Sequence, residues 1–222
     1  HSFPTRRSSD LRVNYKVEDL NFLVYKPKDI EFIDVSSPSG MRVYVRSLSM
    51  VLGKAISELY PNAALRIEHP ISKGYYCTID SFGNALTSEI INNIKEKVKD
   101  IIVRNEVIVC EEKQTKVVKE LFAKQMNQKD KISLFETFGT PYCRYFRMGE
   151  YYDYFNGVLL PSTGYLNLFD LVPYYDGMLL RVPNRDNPVE LDEMVYLPKM
   201  FDIFKEYVGW NKIMNLNNVG EF

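Results

Sequence analysis

The sequence predicts an α+β fold in which a short β unit precedes a larger mixed domain. Two stretches of strand-like alternation, residues 12–35 and 141–182, flank a middle portion with helical stripes. Hydrophobic residues make up 45% and aromatic residues 14% of the 222 positions, which is enough to build a sizeable core. Length alone permits one domain or two small ones.

The charge balance and the hydropathy exclude several classes of protein. The 28 basic and 29 acidic side chains leave a net charge of -1, so no global field favours nucleic acid or an anionic membrane, although a local basic patch stays open. No apolar run approaches the roughly 18 residues that a membrane span needs. Cys77, Cys110 and Cys143 are widely spaced, as in reduced intracellular proteins. We therefore expect a soluble, cytoplasmic protein without membrane contact.

Both ends of the sequence look incomplete. Residues 1–11 lack an initiator methionine and an apolar period, and they resemble a translated sequencing adapter. We leave them out of the fold prediction as an artefact and expect them to be disordered. The far end follows an aromatic helical pattern without a closing cap, so we expect the chain to continue beyond Phe222.

The β unit is predicted over residues 12–36. Strand-like segments are expected at residues 13–17, 22–25 and 30–32, with a turn at residues 26–29.

The larger domain is predicted over residues 37–185, after a loop at residues 36–40. An amphipathic helix over residues 45–60 stops at Pro61, and a hairpin follows, with Gly74 opening its return strand. The remaining elements expected in this domain are helices near residues 87–102, 115–126 and 131–138 and several short strands within 141–182. A linker and a last helix, residues 198–214, are expected within residues 186–222.

Few residues in the sequence offer catalytic or metal-binding chemistry. No phosphate-cradling glycine-rich loop occurs, since the nearest match, Gly53 followed by Lys54, lies inside a predicted helix. Outside residues 1–11, His69 is the single histidine, so a site with two histidine ligands cannot form. We therefore expect no metal and no catalytic residue.

Two catalytic pairs stay open as alternatives. His69 and Cys77 could meet across the hairpin as base and nucleophile, although a turn histidine beside a buried cysteine is the more ordinary arrangement. Glu150 and Asp153 could act as paired carboxylates, although hydrogen bonds with the surrounding tyrosines are more typical. The sixteen tyrosines could also stack on single-stranded bases, but core packing is their usual role.

Three segments carry a family resemblance: RSLSMVLGKAI (residues 46–56), HPISKGYY (69–76) and YDYFNGVLLPSTG (152–164). In order and spacing they resemble the editing domain, or second additional domain, of threonyl-tRNA synthetase. Residues 12–35 are similar to the second half of the TGS domain that precedes it. The resemblance implies an α+β domain of the threonyl- and alanyl-tRNA synthetase editing type, with a partial TGS unit before it and a helix after it.

The same resemblance implies a degenerate cleft. In the family, a helix carries His-x-x-x-His and a later strand-loop carries Cys-x-x-x-His, all facing one cleft. These positions fall on Met50, Lys54, Phe155 and Leu159 here. We expect Met50 to contact Phe155 or Leu159 at about 4 to 5 Å, and Lys54 to send its ammonium to solvent. The other side chains expected to line the cleft are His69, Tyr75 and Asp153.

Residues 12–222 also resemble the N-terminal region of uridine kinase-like nucleoside kinases, found especially in Bacteroidetes-type bacteria. The segments that carry this resemblance are SPSGMR (37–42), EHPISKGY (68–75), LPSTGY (160–165) and LNNVG (216–220). In that family a P-loop kinase domain follows, which would use ATP and Mg²⁺ to phosphorylate uridine or cytidine. The resemblance implies that the present chain ends before this domain and itself needs no cofactor.

Three functions from different classes follow. We favour a non-catalytic accessory or regulatory region whose partners are its own kinase domain and a small ligand or RNA in the cleft. The alternative is an editing-type hydrolase or tRNA-binding module, although water activation would need a base or metal that the four cleft positions lack. A stand-alone kinase is excluded for this chain because the phosphate loop is missing.

Overall fold

The computed structural model describes residues 10–80, 86–125 and 129–213. This part of the chain forms ten β-strands and five α-helices in three antiparallel sheets, which confirms the predicted α+β class. The strands are β1 Asp10–Val13, β2 Lys16–Glu18, β3 Ile30–Ile33, β4 Ala64–Ile71, β5 Gly74–Asp80, β6 Val109–Gln114, β7 Tyr142–Met148, β8 Tyr151–Asp153, β9 Asp170–Tyr174 and β10 Gly177–Arg181. The helices are α1 Pro38–Leu59, α2 Ser88–Val103, α3 Thr115–Ala123, α4 Lys129–Phe138 and α5 Pro198–Ile213, with one 3₁₀ turn at Thr163–Tyr165.

The N-terminal β unit is a three-stranded sheet with the order β2-β1-β3. Asn14 and Tyr15 both adopt positive φ angles, of 47° and 71°, and so reverse the chain between β1 and β2. The single strand predicted over residues 13–17 is therefore wrong. Residues 22–25 form no strand either, because no sheet edge pairs with them. The third predicted strand is confirmed as β3.

Strand β1 begins at Asp10, so the expectation that residues 1–11 are a disordered artefact is wrong for Asp10 and Leu11. Asp10 and Leu11 pair with Ile33 and Phe32 of β3, and both are buried. Their ladder hydrogen bonds and burial make them part of the β unit. Residues 1–9 lie outside the described residues.

Helix α1 is the central element of the larger domain. Ser37 is its N-cap, because the Ser37 hydroxyl accepts a hydrogen bond from the Gly40 N–H at 3.0 Å, and Pro38 occupies the first helical position. The loop expected at residues 36–40 is thus the cap and first turn, and the predicted helix start at residue 45 is wrong. From residue 43 to residue 56, Arg46 alone is not fully buried.

The sheet with the order β4-β5-β10-β9 is covered on both faces. Helices α1 and α2 pack on one face, where Cys77 belongs to the main core. Helix α5 covers the other face, where Tyr76 and Phe201 belong to a second cluster. The predicted β4–β5 hairpin is confirmed, and it turns at Ser72 and Lys73, which both have positive φ angles.

The sheet with the order β6-β7-β8 joins two cores. On one face, Tyr145 of β7 packs with Phe122 of α3 and Phe135 of α4. On the other face, Phe146 and Met148 belong to the main core that surrounds α1. Strand β7 therefore fixes the α3–α4 pair to the central helix.

The remaining predicted elements agree with the structure. Helix α2 begins behind its expected cap, Thr87, whose hydroxyl accepts a hydrogen bond from the Ile90 N–H. Helices α3, α4 and α5 and the short strands β7 to β10 occupy the expected stretches. The predicted helix ends at Met126 and Met214 lie outside the described residues. Within the described ranges, no helix combines the length and the apolar character that crossing a membrane requires.

Asp10 is a buried carboxyl group without a hydrogen-bond partner among the described residues. Burial, followed by repulsion from Asp19, raises the pKa of Asp10 to about 8, against an opposing attraction from Arg46. The ordinary pKa of 3.8 applies in the unfolded chain, so the folded state binds an extra proton between these two values. Asp10 therefore makes the free energy of unfolding fall as the pH rises through this window.

We predict that Asp10→Asn removes this pH dependence. The free energy of unfolding of the variant should exceed that of the parent by about 1 kcal/mol near pH 4.5 and by on the order of 2 to 5 kcal/mol near pH 8. Urea unfolding followed from pH 4.5 to pH 8 measures the difference. Asp29→Asn, which changes an exposed carboxylate of the same unit, is the control and should leave the pH slope unchanged. Equal slopes for the parent and Asp10→Asn would contradict the burial of Asp10.

Candidate functional site

Three of the four positions implied by the family resemblance belong to one buried cluster or pack against it. Met50 and Lys54 are one turn apart on α1, whereas Phe155 and Leu159 follow β8. Met50 and Leu159 belong to the same buried cluster, and Phe155 packs on its margin. The expected contact distance between Met50 and Phe155 or Leu159 stays a prediction.

Two hydrogen bonds fasten the segment after β8 to α1. The Leu160 N–H donates to the Ser47 hydroxyl at 2.8 Å, and the Arg46 guanidinium donates to the Val158 carbonyl at 3.3 Å. Gly157 has a φ of 124°, and a Cβ added there would lie 2.5 Å from the Arg46 Nη1. The positive φ favours glycine at this position, and a side chain there would also displace the Arg46 guanidinium.

Lys54 is buried in an ion-pair network, with 7% of its surface exposed. Its ammonium donates hydrogen bonds to the Glu106 carboxylate and, at 3.2 Å, to the Met148 carbonyl. It also lies 3.6 Å from the Glu58 carboxylate. The expectation that Lys54 sends its ammonium to solvent is wrong, because carboxylate and carbonyl oxygens replace the water around it.

The carboxylates around Lys54 are held by further cations. Arg104 lies 3.0 Å from the second Glu106 oxygen, although not in hydrogen-bond geometry. Lys97 pairs with Glu58 at 2.8 Å. An ammonium has no lone pair with which to activate water, and its carboxylate neighbours are occupied by cations. This network is therefore suited to hold α1 in place and not to act as an acid-base pair.

Asp153 is buried in a second ion pair. Its carboxylate binds the Lys131 ammonium of α4, and it accepts hydrogen bonds from the Tyr151 hydroxyl at 3.2 Å and the Tyr154 N–H at 2.6 Å. Glu150, by contrast, is exposed. The hypothesis that Glu150 and Asp153 act as paired carboxylates has no support, because the two side chains lie in different environments.

His69 and Cys77 lie on opposite faces of the main sheet. His69 is paired with Tyr76 and stacks on Phe204 of α5, with ring centroids 3.9 Å apart. Cys77, the next residue after Tyr76, projects into the main core, since neighbours along a strand alternate between faces. Burial raises the pKa of the Cys77 thiol to about 12. A nucleophilic His69–Cys77 pair is therefore wrong.

The three side chains expected to line the cleft occupy three separate places. His69 lies beneath α5, and Asp153 is paired with α4. Tyr75 lines a smaller cavity of about 350 Å³, where Lys73 and Asp192 form an ion pair at 2.9 Å. The structure does not bring the three together, although Asp153 approaches α1 beside Lys54, where a Cβ added at Gly53 would lie 3.9 Å from the Asp153 Oδ2.

A cavity of about 790 Å³ opens between the N-terminal β unit, the first half of α1 and the edge of β6 and β7. Phe155 and Leu159 line it, while Met50 and Lys54 lie behind it in the core. Its charged lining residues are Lys16, Arg42, Arg46, Arg144, Glu18, Asp19 and Glu112. Its aromatic lining residues are Tyr142, Phe146, Tyr154 and Phe155.

Two of the four cations in this cavity have carboxylate partners. Lys16 pairs with Glu18 at 2.8 Å, and Arg144 lies 4.0 Å from Glu112. Both pairs lie at the rim, where solvent weakens them.

Arg42 and Arg46 lack such partners within the described part of the chain. The Arg42 guanidinium donates to the Ser39 hydroxyl at 3.1 Å, and Arg46 donates to the Val158 carbonyl. Burial and the neighbouring Arg42 lower the pKa of Arg46. Two guanidinium groups, one turn apart and without ion pairs, create a local positive field in the cavity. In the sequence, the signal for this positively charged side of the cavity was a pair of arginines at positions i and i+4 on an otherwise apolar helix.

Metal-binding and redox groups are sparse in this part of the structure. Cys77 and Cys143 are buried and Cys110 is exposed, all as free cysteines. Across residues 10–80, 86–125 and 129–213, His, Cys, Asp and Glu side chains form no group of three that could hold a metal ion.

Comparison with known proteins finds threonine–tRNA ligases among the relatives of this chain. No family model matches the chain. It is 28% identical to the threonine–tRNA ligase of Rubrobacter xylanophilus over 198 residues, which cover 85% of this chain and 30% of that protein. It is 31% identical to the threonine–tRNA ligase of Syntrophomonas wolfei, over 69% of this chain and 24% of that protein. Threonine–tRNA ligase 2 of Bacillus subtilis is 29% identical, over 72% of this chain and 25% of that protein.

The chain is therefore related to part of the threonine–tRNA ligases. It spans between about a quarter and a third of the length of these relatives. The resemblance of residues 46–56, 69–76 and 152–164 to a synthetase domain agrees with this relationship. The expected attachment to a nucleoside kinase, with its ATP and Mg²⁺, has no support from these relatives and stays a prediction.

We predict that Lys54→Met lowers the free energy of unfolding by about 3 kcal/mol, because Glu106 loses its buried partner. The double variant Lys54→Met/Glu106→Gln should recover more than half of this loss, since neither charge then remains buried. Urea unfolding at neutral pH measures both values.

Lys97→Met is the matched control, because it removes a lysine from a more exposed ion pair with Glu58. It should cost less than about 1 kcal/mol. Similar losses for Lys54→Met and Lys97→Met would show that Lys54 is solvated.

Proposed function

We propose that this chain is a non-catalytic RNA-binding module, and that the 790 Å³ cavity receives the unpaired end of a tRNA. The observation that carries the proposal is the pair of arginines Arg42 and Arg46, which form no ion pair among the described residues, beside an aromatic-lined cavity. The named substrate class of the relatives, tRNA, supplies the kind of RNA.

The arginine pair suits the sugar-phosphate backbone. Guanidinium groups bind phosphates through two parallel hydrogen bonds, and such contacts supply most of the affinity of nucleic-acid binding. Arg42 is exposed and Arg46 half-buried, so the pair extends from the mouth of the cavity inwards. A chain of phosphates entering beside α1 would compensate both charges.

The aromatic lining suits unpaired bases. Phe146 and Phe155 lie edge to face with centroids 6.4 Å apart, and the Lys131 ammonium lies 5.6 Å from the Phe155 centroid. Tyr142, at the rim, is 57% exposed. Base stacking on such rings is tolerant of sequence, as binding to a single-stranded end requires. A volume of about 790 Å³ is within the usual range for small-ligand sites and accommodates a terminal nucleoside.

Hydrolysis is not part of the proposal. Met50, Phe155 and Leu159 contribute apolar side chains, and the Lys54 ammonium is engaged with Glu106 and Met148. Neither a general base nor a metal ligand stands at these positions, so water cannot be activated there.

We predict that Arg42→Gln and Arg46→Gln each weaken binding of a tRNA transcript by roughly tenfold at low salt. Each variant should also lower the slope of log Kd against log salt concentration by about one, because one phosphate contact is lost. Fluorescence anisotropy with a labelled transcript measures both quantities.

Two controls accompany this measurement. Arg66→Gln changes an exposed arginine on β4, outside the cavity, and should leave the Kd unchanged. A transcript without its unpaired terminal nucleotides should bind the parent as weakly as the arginine variants bind the intact RNA. Equal binding of both transcripts would refute the proposed seat of the tRNA end.

We predict that the chain does not accelerate the release of an amino acid from a mis-aminoacylated tRNA. The reason is that the side chains of Met50, Phe155 and Leu159 cannot act as a base. The measurement is the release of labelled amino acid over time. An acceleration that Lys54→Met abolishes would assign the editing-type hydrolase instead.

A further inference from the structure

Helix α5 carries an apolar stripe on its outer surface. The stripe consists of Met200, Ile203, Tyr207 and Trp210, which are 45%, 66%, 61% and 56% exposed. Single exposed apolar side chains are ordinary, but a contiguous row of large ones marks an interaction surface.

The inner face of the same helix is firmly packed on the sheet. Phe201 stacks on Tyr175 with centroids 3.8 Å apart, and Phe204 stacks on His69. The Lys205 ammonium binds the Asp176 carboxylate at 2.7 Å. These contacts fix the rotation of α5, so the outer stripe cannot turn inwards to be buried.

The spacing of the stripe is that of a helix-pairing seam. Its residues follow one another at intervals of three, four and three, which is the alternation that keeps apolar side chains facing a second helix. An apolar stripe of this kind on a fixed surface can pair with the same stripe of a second copy of the chain, related by a two-fold axis.

We propose that the outer face of α5 docks against the same face of a second copy of this chain, with the two helices antiparallel. Lys199 and Glu206 flank the stripe on one side, both exposed and without ion-pair partners among the described residues. In an antiparallel pair, the residues that flank the stripe on this side face their counterparts on the second helix. Lys199 therefore contacts Glu206 of the partner subunit, and the two-fold axis produces a second, equivalent contact. In a parallel pair, Lys199 and Glu206 would instead face the residues on the opposite side of the stripe. Phe204 lies on that side and carries no charge.

The area of the stripe is sufficient for a weak dimer. At about 200 Å² for a large side chain, the exposed parts of the four residues amount to roughly 500 Å² per copy. A pair would bury on the order of 1,000 Å² in total, the lower limit for a specific interface. We therefore expect a reversible dimer with a Kd on the order of 10 µM.

Sedimentation velocity of the full 222-residue chain between about 1 and 100 µM tests the dimer. Ile203→Glu should weaken association at least tenfold, because it puts a charge at the centre of the stripe. Val103→Glu is the control, since Val103 is 83% exposed at the end of α2, and it should not change the Kd. Both changes are on the surface, and unchanged circular dichroism spectra establish that each variant is folded.

Charge exchange tests the antiparallel arrangement. Lys199→Glu and Glu206→Lys should each weaken the dimer roughly tenfold, because two attractive contacts become repulsive. The double exchange Lys199→Glu/Glu206→Lys should restore the Kd of the parent. A parent that stays monomeric at 100 µM, a dimer that tolerates Ile203→Glu, or single exchanges without effect would each overturn the proposal.

Discussion

The burial of α1 on all sides is the constraint on which the rest of the structure depends. The main sheet and α2, strand β7 with its helices, and the segment after β8 all use this helix as their common support. A polar group on such a helix must find its partner inside the protein. Ser47 and Ser49 donate to carbonyls one turn earlier in α1, and Lys54 reaches Glu106 and Met148. The polar contacts of α1 therefore also determine where the surrounding segments lie.

Local chemistry explains which elements could be predicted from the sequence. Helices α2 to α5 have regular apolar periods, and the β4–β5 hairpin has its turn residues in place, so short-range patterns were sufficient. Ser37 and Pro38 are equally typical of a loop and of a helix N-terminus, and the loop interpretation moved the start of α1 to residue 45. Asn14 and Tyr15 interrupt an alternating pattern by adopting positive φ angles, which apolar periodicity does not register.

The candidate site was predictable only where the resemblance supplied long-range information. It placed Met50 and Leu159 around one core, although they are distant in sequence. It could not anticipate the pairing of Lys54, because Glu106 comes from the loop after α2 and has no local relation to it. The cavity escaped prediction for the same reason, since its walls come from β2, α1, β7 and the segment after β8. The local sequence pattern that indicated the cavity was the pair Arg42 and Arg46.

The apolar core that contains Met50 and Leu159 resists the introduction of polar side chains. A catalytic cleft needs several polar groups at once, whereas point mutations arrive one at a time. Each polar side chain introduced alone into this core would be buried without a partner and would cost about 1 to 3 kcal/mol. A single polar substitution at Met50 or Leu159 thus lowers stability before several polar groups could act together. The packing of this core therefore disfavours the stepwise introduction of a polar cleft.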